Sequence, residues 1–381
     1  MNQSHDIIIV GGGFAGLAIA YQLVRRGAEV LLLEAKNIGH GASGACAGRA
    51  QVAESHRGLH MRLTLAGLAR LETLETELGH EFEWRRLGNL ILIEQEKHWQ
   101  KWQEQIDYLQ QLGVPAAMLS QEEIHQAEPL LNIERFLGGA WCLEGHLNPF
   151  KLMHAYASAA RNHGAIIRQQ AQVIKLPQTN NRLLGVETEN ERFVAETIII
   201  TAGAWTGQVL QTAGIQLPVR FTHAEAVISE PLPPILHNHI GLADFYETIH
   251  QAARAVSIGV AQHKNGTLLI TEAVEMTEHI HRANSAWGLP ALAHELQTLF
   301  PALAQVRLVR AWAAPSPFLP DEQPAIGWVP GLENCFVATC FHNTITTIPV
   351  LSELIAEIIL DGQSEIDISP FNPHRFQKSL M

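Results

Sequence analysis

Three glycines and a distant glutamate carry the clearest chemistry in this chain of 381 residues. Gly11, Gly13 and Gly16 stand in G-x-G-x-x-G spacing directly after the apolar, β-branched run 7–10. That spacing suits a pyrophosphate. Gly11 permits a tight turn, Gly13 lets the backbone approach the phosphates, and Gly16 lets helix and strand pack closely. A helix starting there aims unpaired N–H groups and a positive dipole end at the anion. Glu34 ends a second apolar run, Val30–Leu33, where it is placed to accept hydrogen bonds from a ribose diol.

The elements that must position these residues surround them. Residues 7–10 and Val30–Leu33 read as strands. Between them, a stretch apolar at Leu17, Ala20, Tyr21 and Val24 and stopped at Gly27 reads as a helix, completing a βαβ unit. Leu63, Leu65, Leu68, Leu71, Leu74 and Leu78 mark an amphipathic helix over 60–78, and 98–112 reads as another. Ser120 and Glu123 have capping-box spacing. Asn148 and Pro149 read as N-cap and first residue of a helix that Gly164 closes. Strands are expected at 165–168, 171–176, 183–188, 193–194 and 197–200, then at 335–339, with a helix at 349–360. Residues 81–94 alternate like strands, and 217–320 is strand-rich. The expected fold class is α/β with an α+β insert. A Rossmann-like domain is assembled from the discontinuous segments 1–80, 145–216 and 321–381. A mixed-sheet substrate domain takes 81–144 and 217–320.

Composition narrows the function. Thirty-eight acidic residues against 26 basic ones give a net charge of −12, which argues against nucleic acid as a partner. Four cysteines without C-x-x-C spacing indicate neither a disulfide framework nor a zinc site, and fit a reducing, cytoplasmic setting. No leader pattern or membrane-length apolar run is read in the chain, which leaves peripheral membrane attachment open. The pairs His237 with His239 and His279 with His281 lack companion ligands, so no metal is expected. Gly41-Ala42-Ser43-Gly44 is not the G-x-S-x-G of a hydrolase.

Four further elements, in order, resemble the FAD-dependent D-amino-acid-oxidase-like superfamily, in the branch of glycine and sarcosine oxidases and the FAD subunits of proline, opine and hydrogen-cyanide-forming dehydrogenases. They are the small-residue loop Gly41 to Gly48, the stretch Glu144-Gly145-His146-Leu147-Asn148-Pro149, the segment Thr201-Ala202-Gly203-Ala204-Trp205, and the region from Ala311-Trp312-Ala313 to Pro324-Ala325-Ile326-Gly327. The resemblance implies non-covalent FAD, since the cysteine that links flavin in some relatives would fall near Pro315. Implied cofactor contacts are Gly11, Gly13, Phe14, Ala15 and Gly16, then Glu34 and Ala35, then Ser43, Gly48, Arg49 and Ala50. Val173 is implied at the adenine end, Ala202, Gly203 and Trp205 beside the pyrophosphate, and Asn343, Thr344, Ile345 and Thr346 at the flavin.

Enzymes of this kind oxidise a C–N bond. A hydride passes from the substrate to flavin N5, and the resulting imine is hydrolysed. The resemblance implies a small amino acid or amine as substrate and O2, a quinone or a partner protein as electron acceptor. His342, Arg49, Tyr246 and His250 are the implied substrate-positioning residues, with Gln251 beside them. Arg310 is weighed equally as a surface ion pair and as a substrate contact. Ser316 stands where glycine-oxidase-like members carry a carboxylate-binding arginine. Cys340 and one of Thr344 or Ile345 stand where they carry glycine. Two alternatives remain: a 2-hydroxy-acid or polyol dehydrogenase on the same fold, and an FAD subunit of a heteromeric dehydrogenase. Homo- or hetero-oligomerisation is left open.

Overall fold

The computed structural model describes residues 3–245 and 253–379. Its first sheet is built on the strand Gln3–Val10, whose successive side chains point to opposite faces. Ile7 and Ile9 enter one core and Ile8 and Val10 another. Burial on both faces is why this strand is apolar at consecutive positions and does not alternate with polar residues. Across the sheet the order is Ala325–Trp328, Cys335–Thr339, Arg192–Ile200, Gln3–Val10, Val30–Leu33 and Ile166–Arg168. Pairing is parallel except at Ala325–Trp328, and at Val186–Glu187, which lies antiparallel to Arg192–Ile200. Helices Phe14–Arg25, Leu59–Leu78, Pro149–Asn162 and Thr344–Asp361 supply the side chains that cover one face.

Local sequence rules set several of these ends. Asn148 Oδ1 accepts from the Lys151 N–H, and Pro149 occupies the first turn where its missing N–H is harmless. Ser120 and Glu123 make both bonds of the capping box. The second sheet is ordered Leu308–Phe318, Arg220–Pro231, Thr267–Met276, Arg254–Gln262, Asn238–Leu242, Arg85–Ile93, Gly138–His146 and Arg49–Ala50, with Ala116–Leu119 also on Gly138–His146. It is mixed, since Asn238–Leu242 runs parallel to Arg85–Ile93. Helix Gly288–Leu299 packs Leu292, Leu296 and Leu299 on its core with Val227, Ile240 and Ile270. The short strand Arg49–Ala50, inside the 1–80 stretch, pairs with Gly145 and His146 and so belongs to this second sheet.

Three expected elements differ. Residues 171–176 form no strand; a lone bridge from Lys175 to Glu187 and the Thr212 hydroxyl at the Leu176 N–H serve that backbone instead. The run 183–188 is interrupted at Gly185, which packs on the carbonyl of Phe193. The last helix begins at Thr344 and passes through Pro349. Its first turn is anchored by hydroxyls, Thr346 donating to Gln51 O and Thr347 to Asn343 O, so the proline does not mark its start. Among the described residues no helix is long and apolar enough to cross a membrane.

Gly67 shows how closely the helices approach. A glycine mid-helix costs about 1 kcal/mol relative to alanine. Here a Cβ would overlap the carbonyl oxygen of Thr346, in the first turn of Thr344–Asp361. Gly67→Ala is expected to lower stability by about 1–3 kcal/mol through overpacking, despite its better helix propensity. Thermal unfolding checks this; an unchanged or raised midpoint would show that the two helices can separate without cost.

Candidate active site

The strand ends, two helix N-termini and the second sheet enclose one cleft of about 780 Å³. At one end Gly11 leaves strand Gln3–Val10 with φ +116°, a conformation that disfavours side chains, and its N–H donates to Leu33 O. A Cβ on Gly16 would run into the Gly11 carbonyl, so this glycine serves packing behind the cleft wall. Helix Phe14–Arg25 has no acidic residue in its first turn, leaving its positive pole uncompensated toward the cleft. The Phe14 N–H donates to Ser43 Oγ at 3.1 Å, which ties the glycine turn to the following small-residue loop.

Glu34 is only 9% exposed, with Oε2 accepting from Gly12 N at 2.7 Å and Oε1 from Lys36 N at 2.8 Å. Each oxygen keeps a lone pair for a further donor. Val173, Ala202, Gly203 and Trp205 line the same region, as do Gly13, Phe14, Ala15 and Ala35. Opposite, the chain after strand Cys335–Thr339 carries Cys340 and Asn343 in left-handed conformations, with φ 56° and 51°. Such backbone favours glycine, so the cysteine sits there at a cost of about 1–2 kcal/mol. Thr344 and Ile345, by contrast, are helical, and nothing in their backbone asks for glycine. Asn343 Nδ2 donates to Ser55 Oγ, while its buried Oδ1 has no partner among the described residues. An uncompensated helix N-terminus, a glycine turn, free carboxylate lone pairs and an orphaned acceptor together suit a dinucleotide with an amide-bearing ring.

The expected site residues fall into distinct places. Gly11, Gly13, Phe14, Ala15, Glu34, Ala35, Ser43, Gly48, Arg49, Val173, Ala202, Gly203, Trp205, His342, Asn343, Thr344 and Ile345 all line the cleft. Gly16, Ala50 and Thr346 stand behind its wall; Ala50 is buried in the second sheet. Tyr246, His250 and Gln251 lie outside the described residues. Arg310 is exposed on the second sheet, over the Trp312 ring. Arg49 reaches the cleft with its guanidinium engaged by two carboxylates: Nε bonds Glu144 Oε2 at 3.1 Å, and a short contact joins it to Glu54. Glu144 Oε1 also accepts from Val52 and Ala53 N–H, each at 2.8 Å. Burial pushes the Glu54 carboxyl up, against the pull of Arg49.

Several neighbours escaped the sequence reading. The His342 ring lies 5.1 Å from those of both His56, tilted, and His60, edge-on, and burial pushes His60 down to about 4, so it is neutral at neutral pH. His239 and Glu272 line the cleft from the second sheet. The H-x-H spacing of His237 and His239 drew notice only as a metal pattern without companion ligands, which gave no reason to place His239 in the cleft.

The relatives of this chain agree with that geometry. Hydrogen cyanide synthase subunit HcnC of Pseudomonas aeruginosa is 26% identical, over 99% of this chain and 97% of its own. Glycine oxidase of Geobacillus kaustophilus is 26% identical over 98% and 97%. The crystal structure of that oxidase superimposes with a TM-score of 0.87 at 25% identity, covering 97% of this chain and 98% of its own. L-proline dehydrogenase from P. horikoshii shares the fold over 100% of both chains, with a TM-score of 0.88 and 22% identity. The family model for FAD-dependent oxidoreductases of the DAO type matches residues 6–358. The chain belongs to that DAO family and is an FAD-dependent oxidoreductase.

Proposed function

We propose that this enzyme oxidises a C–N bond of a small amine or amino acid. The substrate loses a hydride and a proton, a C=N bond forms, and water releases the nitrogen to leave a carbonyl product. Bound FAD supplies the two-electron acceptor at flavin N5. The observation that carries this reading is a single cleft running from the glycine turn to the second sheet, so cofactor and substrate share one enclosure. Likeness to a glycine oxidase over nearly the whole chain supports a nitrogen substrate over a hydroxy acid.

The protein's part is to hold, orient and shield. Gly11, Gly13, Phe14 and Ala15 would hold the pyrophosphate, with Ala202, Gly203 and Trp205 beside it. Glu34 and Ala35 would take the ribose, and Val173 the adenine end. Ser43, Gly48, Asn343, Thr344 and Ile345 would frame the flavin. The N-terminus of Thr344–Asp361 has no acidic residue in its first turn, so its positive pole is free to favour negative charge there. His342 lies at this end, its ring packed on two further histidines, and is proposed to position substrate. A second reading of the electron acceptor, a partner protein in place of O2 or a quinone, is favoured by the likeness to HcnC, which is named as a subunit.

A Cβ at Gly13 would lie 2.8 Å from Ser43 Oγ, so Gly13→Val, like Glu34→Ala, is expected to purify colourless. Stoichiometric flavin absorbance in either variant would contradict the phosphate and ribose assignments. His342→Ala is expected to keep its FAD yet slow anaerobic flavin reduction on the order of tenfold; an unchanged rate in stopped flow would make His342 purely structural. The reaction class itself is tested by anaerobic titration with glycine, sarcosine, proline and D-amino acids beside simple amines. Bleaching by one of them, and by no 2-hydroxy acid, is the expected result.

A further inference from the structure

The charges on the substrate side of the cleft do not suit a carboxylate. Among the described residues that line it, Lys36 and Arg49 are the only fixed cations. Lys36 follows the Glu34 ribose site, at the far end from His342. Arg49 is committed to Glu54 and Glu144, two negative charges against its one. Residues 246–252, outside the described structure, contain no lysine or arginine. Ser316, on the cleft wall, brings no charge.

What the second sheet does present are acceptors. His239 is 5% exposed, and its Nδ1 lies 3.2 Å from Asn89 Oδ1, to which the ring donates in the tautomer protonated at Nδ1. Nε2 therefore keeps its lone pair, with no hydrogen-bond partner among the described residues. It borders the gap over Gly259, where a Cβ would lie 3.6 Å from it and 2.9 Å from Thr271 Oγ1. Burial, reinforced by Arg49, holds the His239 ring neutral. Glu272 follows Thr271 and is a bulge residue. Toward Arg220–Pro231 the register passes from Ala273 opposite Glu225 to Thr271 opposite Ala226, and toward Arg254–Gln262 from Ala273 opposite Val256 to Thr271 opposite Gly259. Both ladders skip Glu272, and bulges of this kind re-aim side chains. Its carboxyl lines the cleft and has no hydrogen bond or ion pair among the described residues. Desolvation pushes it up to about 7. A carboxylate so placed is relieved by a cation brought beside it.

We propose that this cleft selects a diamine without a carboxylate, one nitrogen being oxidised while Glu272 and His239 accept hydrogen bonds from the substrate's N–H groups. This rests on the amine-oxidation reading above and names its substrate class. An amino acid would set its carboxylate against Glu272 and find no uncommitted guanidinium. A diamine would bring its second ammonium to the unpaired carboxylate.

The test is calorimetric titration of the dithionite-reduced holoenzyme, which cannot turn over, with putrescine, γ-aminobutyrate and sarcosine, beside anaerobic bleaching of the oxidised form. Putrescine is expected to bind at least tenfold more tightly than either carboxylate compound. Glu272→Gln, checked for full flavin content, should weaken putrescine at least tenfold and leave γ-aminobutyrate no weaker, or tighten it. Ser316→Arg, on an exposed position, should shift preference toward γ-aminobutyrate should Glu272→Gln fail to fold. Tight binding of sarcosine or γ-aminobutyrate with indifference to both substitutions overturns the inference. If sarcosine also bleaches the flavin while putrescine does not, amine oxidation stands and only the diamine assignment falls. Bleaching by a 2-hydroxy acid and by no amine overturns both.

Discussion

Backbone meets backbone with only the Thr201 hydroxyl between where Gly16, Gly11 and Thr201 come together, and the cleft depends on that contact. Thr201 hydroxyl donates to the carbonyls of Val10 and Gly11, while Gly16 packs flush on the latter. The helix Phe14–Arg25 is thereby held close against the carboxyl ends of the two central strands. Ligands of open parallel sheets bind outside those ends. Any side chain at the contact would lift the helix and draw its N-terminus away from the cleft.

A second junction joins the two sheets. The small-residue loop after Glu34 leads directly into Arg49–Ala50, which is a strand of the second sheet. Arg49 then binds Glu54 and Glu144, and Glu144 also receives the N–H groups of Val52 and Ala53. Breaking a buried ion pair by removing one partner costs about 3–5 kcal/mol, because the other charge is left unpaired. Arg49 thus fastens the loop to the sheet that faces it, a task that leaves its guanidinium little freedom for a ligand. Trp312 adds a further tie, its indole N–H donating to Ala45 O.

Much of the nucleotide half was legible because its rules are local. Gly11, Gly13, Gly16 and Glu34 announce themselves by spacing, and Asn148 with Pro149 marks a helix start by residue type alone. The half built on the second sheet was opaque because its rules are not local. Glu144 reaches Arg49 from 95 residues away, and His56 and His60 reach His342 only through helix packing. Glu272 depends on a bulge, which shifts residues between faces and leaves no periodic trace. Pro349 misled for a different reason. Proline is a good indicator of a first turn, but hydroxyl anchors at Thr346 and Thr347 had already started that helix.

The order of strands in the first sheet also bears on biosynthesis. Gln3–Val10 leaves the ribosome well before its neighbour Arg192–Ile200, and Cys335–Thr339 and the Thr344–Asp361 helix come later still. The walls around the glycine turn are incomplete until the start of Thr344–Asp361 has been made. Until Arg192–Ile200 has followed, the nascent chain carries an apolar sheet edge at Gln3–Val10 whose partner has not been synthesised.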